Sequence, residues 1–515
     1  MFRFSRVFRR SFTTPRPIGQ PLISRRVIIY PSAVIATIGT GYYIDQIYYS
    51  SLLTRSVRAL YVLFWIAYEY RFNIHKYNHI DELHERAAET LLQLLMKNKG
   101  LYIKLGQAIA NQGTLFPRAY QVRFPKLYDD ASFDEWERID KVLSTSLGEN
   151  YHEYFDSIDT VPYASASIAQ VHRGVLKTGE QVAVKIQHDY IDKQIVVDLM
   201  IYRLMSKIYQ QMFDIPLTMF TKYVSEQMIT ETDFVHEMGN STKLAEFISK
   251  DKQLTGVNVY VPKTFPELTT RKVLVAEWID GVSLTSKEKL LLEKFNLTTI
   301  MNQYIKLFGR QIFEYGFIHS DPHPGNLLAR FDDKGKQQLV ILDHGLYITL
   351  SNEFRLQYCN LWRYIFSLNS KGIERIGKSW GINSLEIFAT FVQLKPVLLK
   401  TPDVESQDSR DAYDLLKDFI GDEAKFPSEL PFLARTMRMI QNLNQTLDSP
   451  VNRINLLTNE SINVLLLEDL TMSDFWDIIK IKLTLTLSGF MFYIIRFKQW
   501  LTQDKTHVKG FEDYN

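Results

Sequence analysis

The segment His319-Ser320-Asp321-Pro322-His323-Pro324-Gly325-Asn326 is followed, after an apolar run from Gln338 to Leu342, by Asp343-His344-Gly345. Asp321 precedes Asn326 by five positions, the interval of a protein-kinase catalytic loop. Phosphoryl transfer needs a carboxylate aimed at the attacking hydroxyl or water, and an Asn with a second Asp to hold Mg²⁺ against the phosphates. Asp321 suits the first role; Asn326 and Asp343 suit the second. The run Gln338-Leu339-Val340-Ile341-Leu342 predicts a strand that delivers the Asp343 carboxylate at its end. The chemistry to expect is that of an ATP-handling enzyme.

Such a site needs elements upstream to grip the nucleotide. Gln181-Val182-Ala183-Val184-Lys185-Ile186 predicts a β-branched strand carrying one inward lysine, the residue that binds the α- and β-phosphates in kinases. A helical stretch expected from Thr221 to Phe247 offers Glu231, Asp233 and Glu237, one of which must pair with that lysine. Glu237 is the first choice. Asp233 lies four residues before it and shares its helix face, whereas Glu231 lies six before it and points elsewhere. Lys272 to Gly281 predicts a strand running into a turn, where backbone groups of Glu277 and Ile279 would meet adenine. No G-x-G-x-x-G precedes Lys185. Ala164-Ser165-Ala166-Ser167 stands there instead, 18 to 21 residues upstream, and alanine gives a stiffer cover than glycine because it avoids positive φ.

These residues resemble the UbiB-type, or aarF-domain, family of atypical kinases. The resemblance rests on Lys104-Leu105-Gly106-Gln107, on Ala164 to His172, on Glu231-Thr232-Asp233, and on the His319 to Asn326 loop, and it covers roughly residues 95 to 350. It implies a K-x-G-Q helix folded across the site, with Lys104 and Gln107, three residues apart, both reaching a phosphate or metal ligand. Read alone, Gly106 would mark a helix end. The resemblance also implies ATP and Mg²⁺ as cofactors and a lipid or ubiquinone-like molecule as substrate or client. Asp343-His344-Gly345-Leu346-Tyr347 looks like the branch of fungal mitochondrial lipid-homeostasis members and their animal relatives. Only Leu346 to Leu350 separate this motif from Ser351-Asn352-Glu353, which predicts a helix start, so no long activation segment fits and no A-P-E follows. His344 is also readable as a packing residue.

Length and composition set the rest. A chain of 515 residues with 46% hydrophobic content can build a bilobal core with extensions, and a net charge of +2 gives no field for nucleic acid. The single Cys359 excludes an intrachain disulfide and any Cys-based zinc site. The N-terminus is rich in arginine and has no acidic residue before Asp45, which is the composition of a mitochondrial presequence. Val27 to Tyr43 is uncharged and close to the ~20 residues that span a bilayer. With the arginines in the matrix, the positive-inside rule would put the catalytic domain in the intermembrane space. A second apolar stretch, Leu483 to Ile495, is too short to span easily; it reads equally as a core helix or as a helix at a lipid surface.

The expected fold is therefore α+β, a bilobal protein-kinase-like fold with a helical N-terminal extension and a mostly helical large lobe. Its segments are a presequence over 1–26, a transmembrane helix over 27–44, the helical extension over 45–154, a small lobe over 155–281 and a large lobe over 282–515. The acidic stretch Lys400 to Phe426 reads as a surface insertion. The leading function is an atypical kinase or ATPase at the mitochondrial inner membrane, with protein partners undefined. A catalytically idle nucleotide-binding scaffold or membrane tether is the alternative.

Overall fold

The computed structural model describes residues 39–45, 50–111, 117–128, 133–214, 218–254, 256–382, 425–468 and 471–502. The expected presequence, most of the expected span and most of the acidic insertion lie outside these residues. Two compact units are distinguished, residues 1–57 and 58–515. In the first, residues 39–45 are helical with Tyr42, Tyr43 and Ile44 exposed. The Asp45 carboxylate there accepts from the N–H groups of Leu53 (2.8 Å) and Thr54 (2.9 Å), satisfying donors that open the next helix.

The second unit starts with helices. Ile80–Asn98 turns its apolar row, including Leu83, Ala87 and Leu94, inward, as its three- and four-residue spacing requires. Leu101–Asn111 carries the K-x-G-Q residues and runs unbroken through Gly106. A Cβ at Gly106 would lie 2.3 Å from Leu127 Cδ1 and 2.7 Å from Leu95 Cδ1. That glycine marks a close packing of helices, not a helix end.

Small-lobe strands follow: β1 (Phe155–Ile158), β2 (Ala164–Ser165), β3 (Ala169–Leu176) and β4 (Gln181–Gln187). After the helices comes β5 (Val259–Tyr260), then β6 (Val273–Glu277). The small-lobe sheet runs β1-β3-β4-β6, with β2 on β3. Alternation on β4 buries Val182, Val184 and Ile186 against Ile139, Leu143 and Val275, which leaves Lys185 on the other face. The helical stretch expected as one piece is two, Thr218–Glu231 and Phe234–Lys250. Asp233 makes the break: it adopts extended backbone and its side chain accepts from the Val235 N–H, so it caps the second helix and does not share a helix face with Glu237.

The large lobe holds β7 (Val282–Ser283), β8 (Phe317–His319), β9 (Leu327–Phe331), β10 (Gln337–Ile341) and β11 (Tyr347–Thr349). One sheet runs β5-β10-β9-β7, so β5 leaves the small-lobe segment to pair in parallel with β10. β11 pairs directly with β8, Tyr347 opposite His319, and Ser351 then caps the helix Asn352–Phe366. The chain thus returns to helix at Asn352 after the short strand β11, and the described residues between Asp343 and that helix hold no long activation segment. Cys359 is fully buried in that helix. The core of this lobe gathers Tyr304, Phe308, Phe313, Trp362 and Leu433. Its last helix, Met472–Thr502, has 31 residues, far more than the short apolar stretch read from sequence. Among the described residues it is the one helix long and apolar enough to cross a membrane, by length and composition.

Candidate active site

The strand β4, the helix Phe234–Lys250 and Asp343 meet at Lys185. Its Nζ lies 2.8 and 2.9 Å from the two Glu237 oxygens and 3.3 Å from Asp343 Oδ2. It also sits 5.1 Å from the centre of the Phe234 ring. Burial opposes its charge, but the Asp343 and Glu237 carboxylates outweigh burial and hold the ammonium above the usual lysine range. For Glu237, burial is the leading influence and Asp343 adds to it, so its carboxyl is raised even though Lys185 pulls the other way. Asp343 resists burial through Lys185, Lys104 and the Gly345 N–H, and stays well below the usual carboxylate range. Gly345 N donates to Asp343 Oδ1 at 2.9 Å, and a Cβ on Gly345 would stand 3.3 Å from that oxygen.

Opposite this cluster lies the catalytic-loop segment. Leu342 N donates to the Asn326 carbonyl at 2.9 Å, which ties the Asn326 turn to the end of β10, next to Asp343. Asp321 accepts from Arg435 Nη2 at 2.9 Å. Burial opposes the Asp321 charge, but Arg435, Lys104 and His319 keep the carboxyl below its ordinary value. Arg435 comes from the helix Leu430–Thr446, 114 residues away, and no local motif marks it in the sequence. His344 is buried: one ring nitrogen meets Tyr347 Oη at 2.9 Å and the other the Ile341 carbonyl at 3.1 Å. The carbonyl fixes a donor on one side, and in the neutral ring the other nitrogen can accept from the tyrosine. Burial first, then His319, pushes its pKa down to about 3. His344 is therefore a packed and hydrogen-bonded residue behind Asp343.

Lys104 and Gln107 part company. Lys104 Nζ pairs with Glu231 Oε2 at 2.9 Å, and the charges of Asp321 and Asp343 also act on it. Gln107 Nε2 instead donates to the Leu127 carbonyl at 3.1 Å, so the expectation that both reach a phosphate or metal ligand does not hold for its amide nitrogen. Its role there is to hold the helix against the Phe124–Tyr128 turn. Glu231 ends a helix separate from that of Glu237, so helix spacing does not relate the two, and its target is Lys104.

Ala164 and Ser165 form β2 against Val171 and Gln170, and Ala166 N donates to the Ala169 carbonyl at 2.8 Å, closing a turn that includes Ser167. Ala164 and Ala166 are exposed. A buried network absent from the sequence reading pins it: His188 bridges the Ala166 carbonyl (3.1 Å) and Asp134 Oδ2 (2.9 Å), while Asp134 N donates to Gln170 Oε1 (2.7 Å). Glu277 ends β6 opposite Val182. Its N–H is spent on the Lys263 carbonyl (2.8 Å) and its carboxylate accepts from Tyr260 Oη (2.5 Å).

Whether these residues fit Mg²⁺ turns on the donor set. Among the described residues no cluster of three or more His, Cys, Asp or Glu side chains could hold a metal. An ionised Asp343 with Asn326 nearby is an oxygen set too small for a protein-only cage. It matches a hard cation that takes its remaining ligands from phosphates and water.

A lysine on an antiparallel strand answering a buried helix glutamate, above a separate loop of oxygen ligands in a second lobe, is the geometry of a protein-kinase-like fold. The α+β bilobal architecture and the helical extension expected from sequence are those observed. Residues 126–377 match the ABC1 atypical kinase-like domain. An ABC1 family protein of Schizosaccharomyces pombe is 37% identical over 433 residues, 82% of this chain and 81% of that protein. The chain belongs to the ABC1 family. It is also 33% identical to the ABC1 family protein lscO of Purpureocillium lilacinum, over 81% of this chain and 78% of that one. The AarF domain-containing kinase 1 of Drosophila melanogaster is 35% identical, over 61% of each. A Mycobacterium tuberculosis protein solved with erythromycin aligns over 75% of this chain and 97% of its own, at 21% identity and a TM-score of 0.47.

Proposed function

We propose that this protein binds Mg-ATP between its lobes and acts as an atypical kinase or ATPase at the mitochondrial inner membrane, supporting lipid or ubiquinone homeostasis. The observation that carries the reading is the Lys185–Glu237–Asp343 cluster, with contacts of 2.8 to 3.3 Å. Lys185 would bind the α- and β-phosphates, since it is held charged and its partner Glu237 fixes where its ammonium stands. Asn326 and Asp343 would hold Mg²⁺, which when bound neutralises phosphate charge. Asp321, kept ionised, would orient an attacking hydroxyl or water. The turn Ala164–Ser167 would cover the phosphates, and Glu277 and Ile279 would border the base.

The short reach from Asp343 to the helix that Ser351 caps favours a small-molecule acceptor or water over a protein acceptor. The arginine-rich start, the apolar stretch 27–44 and the Asp343-His344-Gly345-Leu346-Tyr347 motif support a place in the inner membrane among the fungal lipid-homeostasis members, with the catalytic domain toward the intermembrane space. The test is Mg²⁺-dependent ATP binding and hydrolysis by the full chain in neutral and anionic proteoliposomes, with and without a ubiquinone analogue, beside Asp343→Asn. Turnover lost in the variant and raised by lipid is the expected result. A second reading, a scaffold that binds nucleotide without turnover, draws on Asp321 being tied up by Arg435 and on Lys104 closing over the site through Glu231. Nucleotide binding with no hydrolysis under any condition would select it.

A further inference from the structure

The helix Met472–Thr502 carries two apolar rows on opposite sides. One row, Ile478, Ile481 and Leu485, is buried against the bundle. Asn455 Nδ2 donates to the Leu485 carbonyl at 2.9 Å and Asn452 Nδ2 to Ser488 Oγ at 3.3 Å, which fix the helix along its middle. Arg363 pairs with Asp474 near its start. The other row runs from Trp476 through Leu483, Leu487 and Phe490 to Leu501, at helical spacing, and these residues are 56 to 71% exposed. Lys480 and Lys482 stand exposed on either side of it. Of the helix's acids, Asp474 is engaged by Arg363 and Asp477 lies 3.9 Å from Lys480, so the net field along the exposed row is positive.

We infer that this exposed row is a docking surface for an anionic lipid bilayer, with the helix lying in the plane of the interface. The inference rests on the membrane reading above and assigns a surface to it. A spanning orientation is excluded by the packed row: lipid cannot surround a helix whose other face is bonded to Asn452 and Asn455. In the plane, its ~45 Å length exceeds the ~30 Å of a bilayer core without penalty. Large aromatic side chains along the row, with lysines beside them, are the composition of an interfacial helix. A second copy of this chain is the rival occupant, because intervals of three and four also suit helix pairing. Self-pairing would bring the lysine flanks of two copies together, where like charges repel, whereas anionic headgroups complement them.

The test uses the full chain in proteoliposomes, labelled with an environment-sensitive dye at Phe490→Cys; Cys359 is buried and stays unlabelled. Vesicles contain brominated acyl chains and either zwitterionic or anionic headgroups. The expected result is dye quenching by brominated lipid in anionic vesicles, with the docked-to-free ratio reduced about thirtyfold by Lys480→Gln with Lys482→Gln, at roughly fivefold per lysine near an anionic surface. A thermal melt of each variant matching the parent keeps the result from being a folding defect. Absence of quenching in both lipids, while the chain remains in the vesicle through its N-terminal segment, overturns the docking surface and leaves the membrane location standing. Dye-to-dye contact between copies without lipid quenching overturns it in favour of self-association.

Discussion

Two carboxylates six residues apart, Glu231 and Glu237, each hold a lysine, and the two pairs do different work. Glu237 reaches Lys185 with both oxygens from inside the small lobe, in a spot that Asp343 also enters. Glu231, the last residue of its own helix, reaches Lys104 in the extension and fastens that helix at the edge of the same cleft. The break at Thr232 and Asp233 turns one acidic segment into two fixed points facing two ways. One pair organises the phosphate-binding lysine; the other latches the extension. The difference shows that in this fold the helical extension is a structural part of the site and not an appended domain.

The strongest way to break this contrast is to remove Lys185. Lys185→Met strands the buried Glu237 carboxylate beside Asp343, which should cost about 3–5 kcal/mol of stability and abolish measurable ATP binding. Thermal melts and calorimetric ATP titration check both, and unchanged ATP affinity in a folded Lys185→Met protein would refute the phosphate role. A shape-preserving pair sharpens the contrast further. Glu237→Gln should weaken ATP binding about tenfold through loss of the lysine's orientation, whereas Glu231→Gln should leave affinity within about threefold while raising proteolytic access to the Leu101–Asn111 helix. Equal losses in the two variants would mean that Lys104, like Lys185, binds phosphate.

Much of this was legible in the chain because it depends on local period. Alternation on β4 sets Lys185 apart from Val182, Val184 and Ile186; five-residue spacing sets Asp321 with Asn326; and the short reach from Asp343 to Ser351 forbids an activation segment. What escaped depends on contacts between distant residues. Arg435 has no motif and meets Asp321 only because the lobe folds 114 residues onto itself. Gln107 shares a helix face with Lys104, yet the Leu127 carbonyl captures its amide. Gly106 looked like a breaker in one dimension and proves to be a contact in three. Asp233 fits a helix face by periodicity alone, but its preference for capping decides its place in the fold.

Arg435 forms a third ion pair and extends the comparison to the large lobe. Its guanidinium is among the groups that hold the Asp321 carboxyl below its ordinary value. Removing it by Arg435→Met should raise the Asp321 pKa, because burial would then act with less opposition. If Asp321 orients the nucleophile as an ionised group, the acid limb of the turnover profile moves to higher pH, while ATP affinity near neutrality changes little. A profile that keeps its acid limb and merely loses amplitude would show Arg435 to be a packing residue. A gain in turnover at neutral pH would identify it as a restraint on Asp321.

The smallest effect expected is on the far side of the Glu237 pair, at His344, whose N–H lies 3.5 Å from Glu237 Oε1. The ring is neutral in the fold, with its pKa lowered from 6.5 to about 3 by burial and by His319. Between those values the unfolded chain binds the proton that the folded chain refuses, so this residue makes stability fall as pH drops below about 6.5. From pH 6.5 to 5 its share is about 1–2 kcal/mol. His344→Phe removes the titration but also leaves the Ile341 carbonyl and Tyr347 hydroxyl without their partner. The variant should therefore melt lower at pH 7.5 and lose less than the parent on acidification. Melting curves at several pH values separate these two effects: parallel pH dependence in parent and variant would assign the acid sensitivity to other buried histidines, His319 and His172 first.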